Sequence, residues 1–277
     1  MNFFLIRDYF LKYSYVILLL FYFGSNTIYS QDYNKYDPNI KTLCLALNDG
    51  EQLVLNPLHW ESSSWLTFAA VAGGTMLLTT VDEQINNEVL EKPYKNTVPL
   101  IIGKWTGEPL TTFSIAGGFY IFGIATEDNA AKRIGFEVVE SFIYAGTINI
   151  ILKAAIGRYR PYTQKGNGSF RPFNIWNNDN LSFPSGHSTV AFSLSTILAS
   201  HTDSYLLKAV IYTPAVLTLV QRVEANQHWT SDVFAGAAIG YFVGKFIIDR
   251  HKEKDSQNQK YNLSISPEGR LIFYMSL

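Results

Sequence analysis

The sequence of 277 residues has a single cysteine and almost no net charge. Cys44 has no second cysteine to pair with, so an internal disulfide is excluded, and we assign this thiol no role. Basic and acidic side chains cancel to a formal charge of −1, so nothing indicates a nucleic-acid partner. No cysteine, histidine or carboxylate residues follow the spacing of metal ligands, and we expect neither a metal nor another cofactor. Nothing indicates an obligate protein partner.

Apolar residues are abundant instead, at 47% of the chain, and the mean hydropathy is +0.04. This value is high for a soluble enzyme and low for a strongly apolar membrane protein. Residues 1–30 have the layout of a signal peptide, in which Arg7 and Lys12 precede the apolar run 15–23 and cleavage is expected after Ser30. The alternative is an uncleaved N-terminal anchor. Either interpretation exports the chain or inserts it into the membrane of a bacterial-type cell envelope.

The remaining chain divides into three parts. Residues 31–63 are polar and rich in turn residues, which predicts an irregular segment. Residues 64–250 follow a helical pattern and predict an all-α domain, a six-helix bundle. Residues 251–277 form a basic tail, and its alternating end predicts a short β-hairpin. The six helices are expected at residues 64–82, 110–126, 133–156, 186–200, 204–221 and 230–250.

The stretch 181–190 combines a helix start with polar side chains. Pro184 can open a helix because it lacks only an amide that would be unpaired there. The amides of Ser185 and Gly186 would then point out of the positive end of the helix, which is suited to an anion. His187 adds a titratable group beside them. A Pro-Ser-Gly turn before a helix is common, so this stretch alone leaves an ordinary helix cap as an equal alternative.

Two further stretches supply charge. Lys153 is followed after six residues by Arg160, and Arg222 is followed after five residues by His228 and after three more by Asp232. In an up-down bundle these residues and the start of the fourth helix lie on one face. Three cations, two histidines and a carboxylate suit a multiply charged oxyanion, since lysine and arginine neutralise its oxygens.

The three stretches together resemble the three-part signature of the type 2 phosphatidic acid phosphatase family. They read Lys153…Arg160-Pro161, Pro184-Ser185-Gly186-His187 and Arg222…His228…Asp232. The family also includes bacterial non-specific acid phosphatases and, more distantly, vanadium haloperoxidases. One position departs from its pattern, because Gln221 precedes Arg222 where the family usually has serine. We expect this change to alter the phosphate pocket without abolishing activity.

The resemblance implies a phosphatase that needs no metal. Lys153, Arg160 and Arg222 would hold the phosphate through fixed positive charge. The amides of Ser185 and Gly186 would complete the pocket, together with the Ser185 hydroxyl. Phosphorylated lipids of the phosphatidic acid, polyprenyl diphosphate or lipid A type are the expected substrates. The alternative is a broad-specificity, soluble periplasmic acid phosphatase acting on small phosphomonoesters.

Three side chains would carry the chemistry that the resemblance implies. His228 would attack phosphorus in line and form a phosphohistidine, while Asp232 orients its imidazole. His187 would protonate the leaving alkoxide, and water would then release phosphate. A catalytically silent membrane scaffold and a haloperoxidase that uses bound vanadate are two further hypotheses.

Other charged residues receive ordinary interpretations. Arg158 is assigned as a solvated charge at a helix end. Glu137 and Glu140 are assigned to an exposed or inter-helix polar face, without a partner at metal-ligand spacing. His201 would interact with a helix dipole. His251 belongs to the basic tail.

The sequence leaves open whether the bundle crosses the membrane. The helical segments hold roughly 15–20 apolar residues, at or just under spanning length. Six spans after a cleaved signal would put the phosphate-binding face in the cytoplasm, whereas the basic residues around Arg133 and Arg250 favour the opposite orientation. We expect membrane association with this face toward the periplasm, and a soluble periplasmic bundle is the alternative.

Overall fold

The structure is a computed structural model that describes Tyr36 and residues 40–91, 97–265 and 271–275, with side chains described as far as Asp255. The expected signal segment, 1–30, lies outside these residues. The described helices are α1 (Ile40–Leu55), α2 (Ser62–Thr79), α3 (Asp82–Glu91), α4 (Val98–Thr106), α5 (Pro109–Ala125), α6 (Asn129–Ile156), α7 (Gly186–Ser200), α8 (Tyr205–Glu224) and α9 (Thr230–Lys260). Two short strands, β1 (Tyr261–Ile265) and β2 (Leu271–Met275), pair antiparallel after α9. The all-α fold class is confirmed.

Each of the six expected helices has a counterpart, namely α2 and α5 to α9, and all except α9 agree with expectation at both ends within a few residues. The expectation of an irregular segment at 31–63 is wrong, because α1 occupies much of it. Its turn residues Asn48, Asp49 and Gly50 lie inside the helix. The carboxylate of Asp49 is buried and accepts a hydrogen bond from Lys254 on α9. This long-range contact outweighs the local turn preference.

Other segments also differ from expectation. Two helices, α3 and α4, lie between α2 and α5, where no helix was expected. α9 continues ten residues beyond the expected end at 250, so the first part of the basic tail is helical. α8 continues through Pro214 without interruption.

Helix α7 is the centre of the bundle. It packs against α6, α8 and α9, while α5 packs on α6 and α4 on α8. Its apolar side chains Leu194, Ile197 and Leu198 are almost fully buried. They join a core that also contains Phe119 of α5 and Ile247 of α9. The helix is enclosed because the residues facing its neighbours are apolar or small.

Small residues on α9 form a seam against α7. Gly236, Gly240 and Gly244 recur every fourth residue and so lie on one side of the helix. A Cβ atom at Gly240 would lie 2.2 Å from the carbonyl oxygen of Thr189, and one at Gly236 would lie 2.4 Å from that of Ser185. Only glycine permits this backbone approach.

Within the part of the chain that the structure describes, three helical segments are long and apolar enough to cross a membrane: Asn129–Ile156, Tyr205–Glu224 and Thr230–Asp255. A fourth span results if α2 and α3, which are bent by 58° at their junction, count as one broken span. Large apolar side chains such as Ile150 and Val210 lie exposed on the outer surface of the bundle. Such a surface is suited to lipid contact, and these helices indicate membrane association.

The glycine seam yields a prediction about stability. Gly240→Ala is expected to destabilise the protein by roughly 1–3 kcal/mol, because the added methyl group must displace the α7 backbone. Gly146→Ala in α6 is the matched control, since a Cβ there meets nothing within 4 Å. This control should be neutral or slightly stabilising, because alanine favours a helix over glycine. Thermal unfolding in detergent measures both, and equal losses would contradict the close approach.

Candidate active site

All eight residues expected to form the site lie where α6 and α8 end and where α7 and α9 begin. α6 ends at Gly157, which adopts a left-handed conformation with φ of 63°. A Cβ at Gly157 would lie 2.0 Å from the carbonyl oxygen of Arg171, so only glycine fits the returning loop. The loop is fastened to α6 by hydrogen bonds from Arg171 N to Gly157 O and from Phe173 N to Ala154 O. It thereby holds residues 158–185 over the end of the bundle.

The buried imidazole of His228 is held by the backbone. Its Nδ1 lies 2.8 Å from the carbonyl oxygen of Ser182. A carbonyl can only accept, so Nδ1 carries the proton and Nε2 keeps its lone pair. Burial, together with the charges of Lys153 and Arg160, lowers the pKa of His228 to about 3. The ring is therefore neutral at physiological pH, with an unprotonated Nε2.

Asp232 lies beside His228 but is not hydrogen-bonded to it. The carboxylate Oδ2 is 3.8 Å from His228 Nδ1. It accepts instead from the Ser182 hydroxyl at 2.5 Å and from the Trp229 amide at 2.9 Å. Asp232 therefore positions the Ser182 segment, whose carbonyl in turn holds the imidazole. Asp232, which the sequence predicts to orient the imidazole of His228, therefore does so indirectly, through Ser182.

The assignment of Arg158 as a solvated charge is wrong. Its guanidinium is 1% exposed and donates to Asp232 Oδ1 at 2.7 Å, to Asp82 Oδ2 at 2.8 Å and to the Ser231 hydroxyl at 2.6 Å. The Ser231 amide also donates to Asp82 Oδ1. Arg158 thus joins the start of α3 to the start of α9. Sequence reasoning missed both Arg158 and Asp82, because no spacing links residues so far apart in the chain.

Lys153 and Arg160 approach the site from two sides. The ammonium of Lys153 donates to the carbonyl oxygen of Leu181 at 2.6 Å. The guanidinium of Arg160 is braced by Asn178, which accepts through its backbone and side-chain oxygens, and by the side chain of Gln227. Bracing of this kind reduces the entropy that each cation loses when it binds an anion. Asn178 and Gln227 are further residues that sequence reasoning missed.

His187 sits between an acid and a cation. Its Nε2 lies 3.2 Å from both Glu108 Oε1 and Arg222 Nη1. The neutral ring can accept from Arg222, and the protonated ring can donate to Glu108. Burial and the charge of Arg222 lower the pKa of His187 to about 4, and Glu108 opposes this shift. Glu108 lies just before α5, and no motif marked it in the sequence.

Gln221 has a defined contact. Its side-chain oxygen accepts from Nε of Arg222 at 2.7 Å. The hydrogen bond that Nε donates fixes the plane of the guanidinium without using its outer nitrogens. Glutamine in place of the usual serine is therefore compatible with an ordered arginine.

One part of the prediction for the anion pocket is wrong. Ser185 is the N-cap of α7, so Pro184 lies before the helix and does not open it. The Ser185 amide already donates to the carbonyl oxygen of Asp232 at 2.9 Å, and its hydroxyl accepts from Ser188. The amides of Gly186 and His187, in the first turn of α7, have no acceptor among the described residues. These two amides are the ones free for an anion.

The part of the chain that carries these residues is similar to a known family. The family model described as "PAP2 superfamily" matches residues 135–255. This range contains every residue of the expected site.

Three curated proteins illustrate the similarity. The chain is 30% identical over 145 residues to a lipid A 1-phosphatase of Porphyromonas gingivalis, covering 51% of this chain and 28% of that protein. It is 29% identical over 195 residues to a lipid A 1-phosphatase of Rhizobium johnstonii, covering 66% of this chain and 78% of that protein. It is 30% identical over 156 residues to a PA-phosphatase related-family protein of Dictyostelium discoideum, covering 51% and 55%. The chain thus spans less than a third of the Porphyromonas protein.

Among solved structures, the crystal structure of Aquifex aeolicus LpxE is similar to this chain. The sequence identity is 21% and the TM-score is 0.48. The match covers 61% of this chain and 95% of that one.

The buried guanidinium yields a second prediction. Arg158→Ala is expected to cost about 3–5 kcal/mol of stability, because it leaves Asp82 and Asp232 buried without their cation. Arg171→Ala removes an exposed arginine of the same loop and should cost less than about 0.5 kcal/mol. Thermal unfolding in detergent compares the two variants. A small loss at Arg158 would mean that the two carboxylates have other partners.

Proposed function

We propose that this chain, whose residues 135–255 match the PAP2 superfamily model, is a lipid-phosphate phosphatase. We propose that it works through a phosphohistidine and without a metal. The observation that carries the proposal is the state of His228. Its Nδ1–H is bound to a backbone carbonyl, and its Nε2 is unprotonated beside the cations Lys153 and Arg160. A neutral imidazole among fixed cations is a nucleophile suited to an anionic phosphate.

In the first step, Nε2 of His228 attacks phosphorus as the bond to the leaving oxygen breaks. Lys153, Arg160 and Arg222 neutralise the charge that builds on the other oxygens, with the amides of Gly186 and His187. His187 donates its Nε2 proton to the leaving oxygen. A phosphate dianion close to this ring raises its pKa, because negative charge favours imidazolium.

In the second step, water attacks the phosphohistidine. His187, which is now neutral, takes the proton from the attacking water. The N–P bond breaks, and its electron pair returns to Nε2 of His228 as inorganic phosphate leaves. The indirect support from Asp232 keeps the proton on Nδ1 throughout.

A lipid substrate is supported by the surface beside the site. The loop between α6 and α7 carries Phe173 and Trp176, whose side chains are 78% and 92% exposed. Aromatic rings favour the boundary between lipid and water. The loop is fastened to the end of α6, next to Lys153, so these rings would hold the phosphate cluster at the membrane surface. Lipid A 1-phosphatases among the relatives further favour a phosphorylated glycolipid as substrate.

The orientation we propose puts this face toward the periplasm. Lys132 and Arg133 lie at the start of α6, and Arg250 and Lys254 lie near the end of α9. These helix ends are opposite to the phosphate cluster. Basic residues favour the cytoplasmic side of a membrane, so the cluster would face outward.

Phosphate release by the purified full chain tests the proposal. Vesicles containing lipid A or phosphatidic acid are compared with a soluble aryl phosphate, with and without chelator. We expect release from the lipids that survives chelation and falls by roughly 10³-fold or more in His228→Ala. The exposed His59→Ala is the matched control and should retain full activity.

The other outcomes separate the alternatives. Comparable release from both substrates would support the soluble acid phosphatase. Trp176→Ser should slow release from vesicles and leave the aryl phosphate unaffected if the loop contacts lipid. No release from any substrate, or release that persists in His228→Ala, would overturn the mechanism.

The pair Glu108–His187 yields a pH prediction. Glu108→Gln removes the negative charge that favours protonated His187, so the pKa of this ring falls further. The rate depends on the protonated ring and declines as pH rises through its pKa, so that decline should move down by about one pH unit. The rate is measured against pH, with Glu88→Gln on the exposed side of α3 as control. An unchanged profile, or an upward shift, would contradict the role of Glu108.

A further inference from the structure

A second cluster of titratable groups lies at the other end of the bundle, around His251 of α9. Its members are Asp49 of α1 and Glu137 and Glu140 of α6. Glu140 precedes Lys153 by more than three turns of α6, which at the helical rise separates the two by roughly 20 Å. The cluster is therefore distinct from the phosphate site.

Three carboxylates converge on this one imidazole. Nδ1 of His251 lies 2.9 Å from Glu137 Oε1. Nε2 lies 3.1 Å from Glu140 Oε2 and 3.4 Å from Asp49 Oδ2. A ring nitrogen carries one hydrogen at most, so Nε2 cannot satisfy both of these acids. The side chains on this side of the ring are buried, with exposed fractions of 0% for Asp49, 3% for Glu140 and 4% for His251.

The oxygens that face Nε2 form no well-aligned hydrogen bond among the described residues, although Nε2 itself is close. Asp49 Oδ2 and both carboxylate oxygens of Glu140 are buried and accept no hydrogen bond within the described part of the chain. Lys254 and Arg250 approach the other oxygen of Asp49, Oδ1. No lysine or arginine among the described residues forms an ion pair with Glu140. Buried carboxylate oxygens without a partner are costly, so this geometry calls for another positive charge.

We propose that Asp49, Glu140 and His251 bind one divalent transition-metal ion of the zinc class. His251 Nε2 lies 3.1 Å from Glu140 Oε2 and 3.4 Å from Asp49 Oδ2, and the candidate ligand atoms all lie within 4.8 Å of one another. A small inward movement of the carboxylates would bring all three atoms onto bonds of about 2.0–2.2 Å to one ion. One imidazole nitrogen and carboxylate oxygens suit zinc better than calcium or magnesium, which take oxygen ligands. The two carboxylates balance the charge of the ion.

Glu137 then acquires a defined role. With the metal on Nε2, the Nδ1–H of His251 donates to Glu137 Oε1. A carboxylate behind a ligating histidine fixes the ring and raises its basicity. Glu137 is itself held by Arg133 and His201. The site would connect α1, α6 and α9, three helices that are distant in sequence, which is why no spacing of ligands revealed it.

Zinc binding to the full chain in detergent tests the proposal. Protein stripped with chelator is titrated with Zn²⁺ by calorimetry, and its metal content is measured after dialysis. We expect one bound equivalent and a higher melting temperature. Glu140→Gln keeps the side-chain volume and should weaken binding by roughly 100-fold, and Glu137→Gln by roughly 10–100-fold.

Two controls separate this site from other surfaces. Asp249→Asn changes an exposed carboxylate on the same helix and should leave zinc affinity unchanged. His228→Ala should also leave it unchanged, because that histidine belongs to the phosphate site. Phosphate release is measured separately, so either proposal can fail without the other.

X-ray absorption at the zinc edge of the wild-type protein provides a test that needs no variant. A first shell with one imidazole and two carboxylates would support the site. A shell with two imidazoles or with none, the absence of bound zinc, or equal affinity in Glu140→Gln would overturn it. The cluster would then be an ion-pair network centred on a protonated His251.

Discussion

The active end of the bundle depends on the buried guanidinium of Arg158. It neutralises Asp82 and Asp232, two carboxylates that are fully enclosed and come from different helices. Because Oδ1 of Asp232 is occupied by Arg158, Oδ2 is directed to Ser182, and the carbonyl of Ser182 holds His228. Removing the cation would leave two like charges in an apolar interior. The position of the imidazole therefore follows from an ion pair that does not touch it.

The glycine seam sets the second constraint, which is the distance between α7 and α9. Since Gly236 lies against the carbonyl of Ser185, the first turns of the two helices meet at backbone contact. That contact lets the Ser185 amide bond to Asp232, and it leaves the amides of Gly186 and His187 directed outward. The geometry of the anion pocket is thus a result of helix spacing as much as of the residues that line it.

Sequence reasoning located the expected site residues because helix ends and motif spacing are local properties. Gly157 ends α6, and a serine before Gly186 caps α7, so both boundaries were predictable. Three other residues could not be predicted, because their partners lie on other helices and no local spacing in the sequence links them. These are Arg158, Asp82 and Glu108. α1 was missed for the same reason, since the turn signals around Asp49 are overridden by contacts with α9. The Ser185 amide was assigned to the ligand because only the folded chain reveals its bond to Asp232.

The hydrogen bond from His228 to a peptide carbonyl has a consequence for the conditions under which the protein works. A carboxylate partner would gain a proton in acid and release the ring, whereas a peptide group does not titrate at any pH that cells encounter. The support of the proposed nucleophile therefore does not depend on the acidity of its surroundings. The pair formed by His187 and Glu108, whose side chains are 28% and 34% exposed, is in contact with the medium and responds to it. The contact that holds His228 stays the same as the pH changes, whereas the protonation of His187 responds to it.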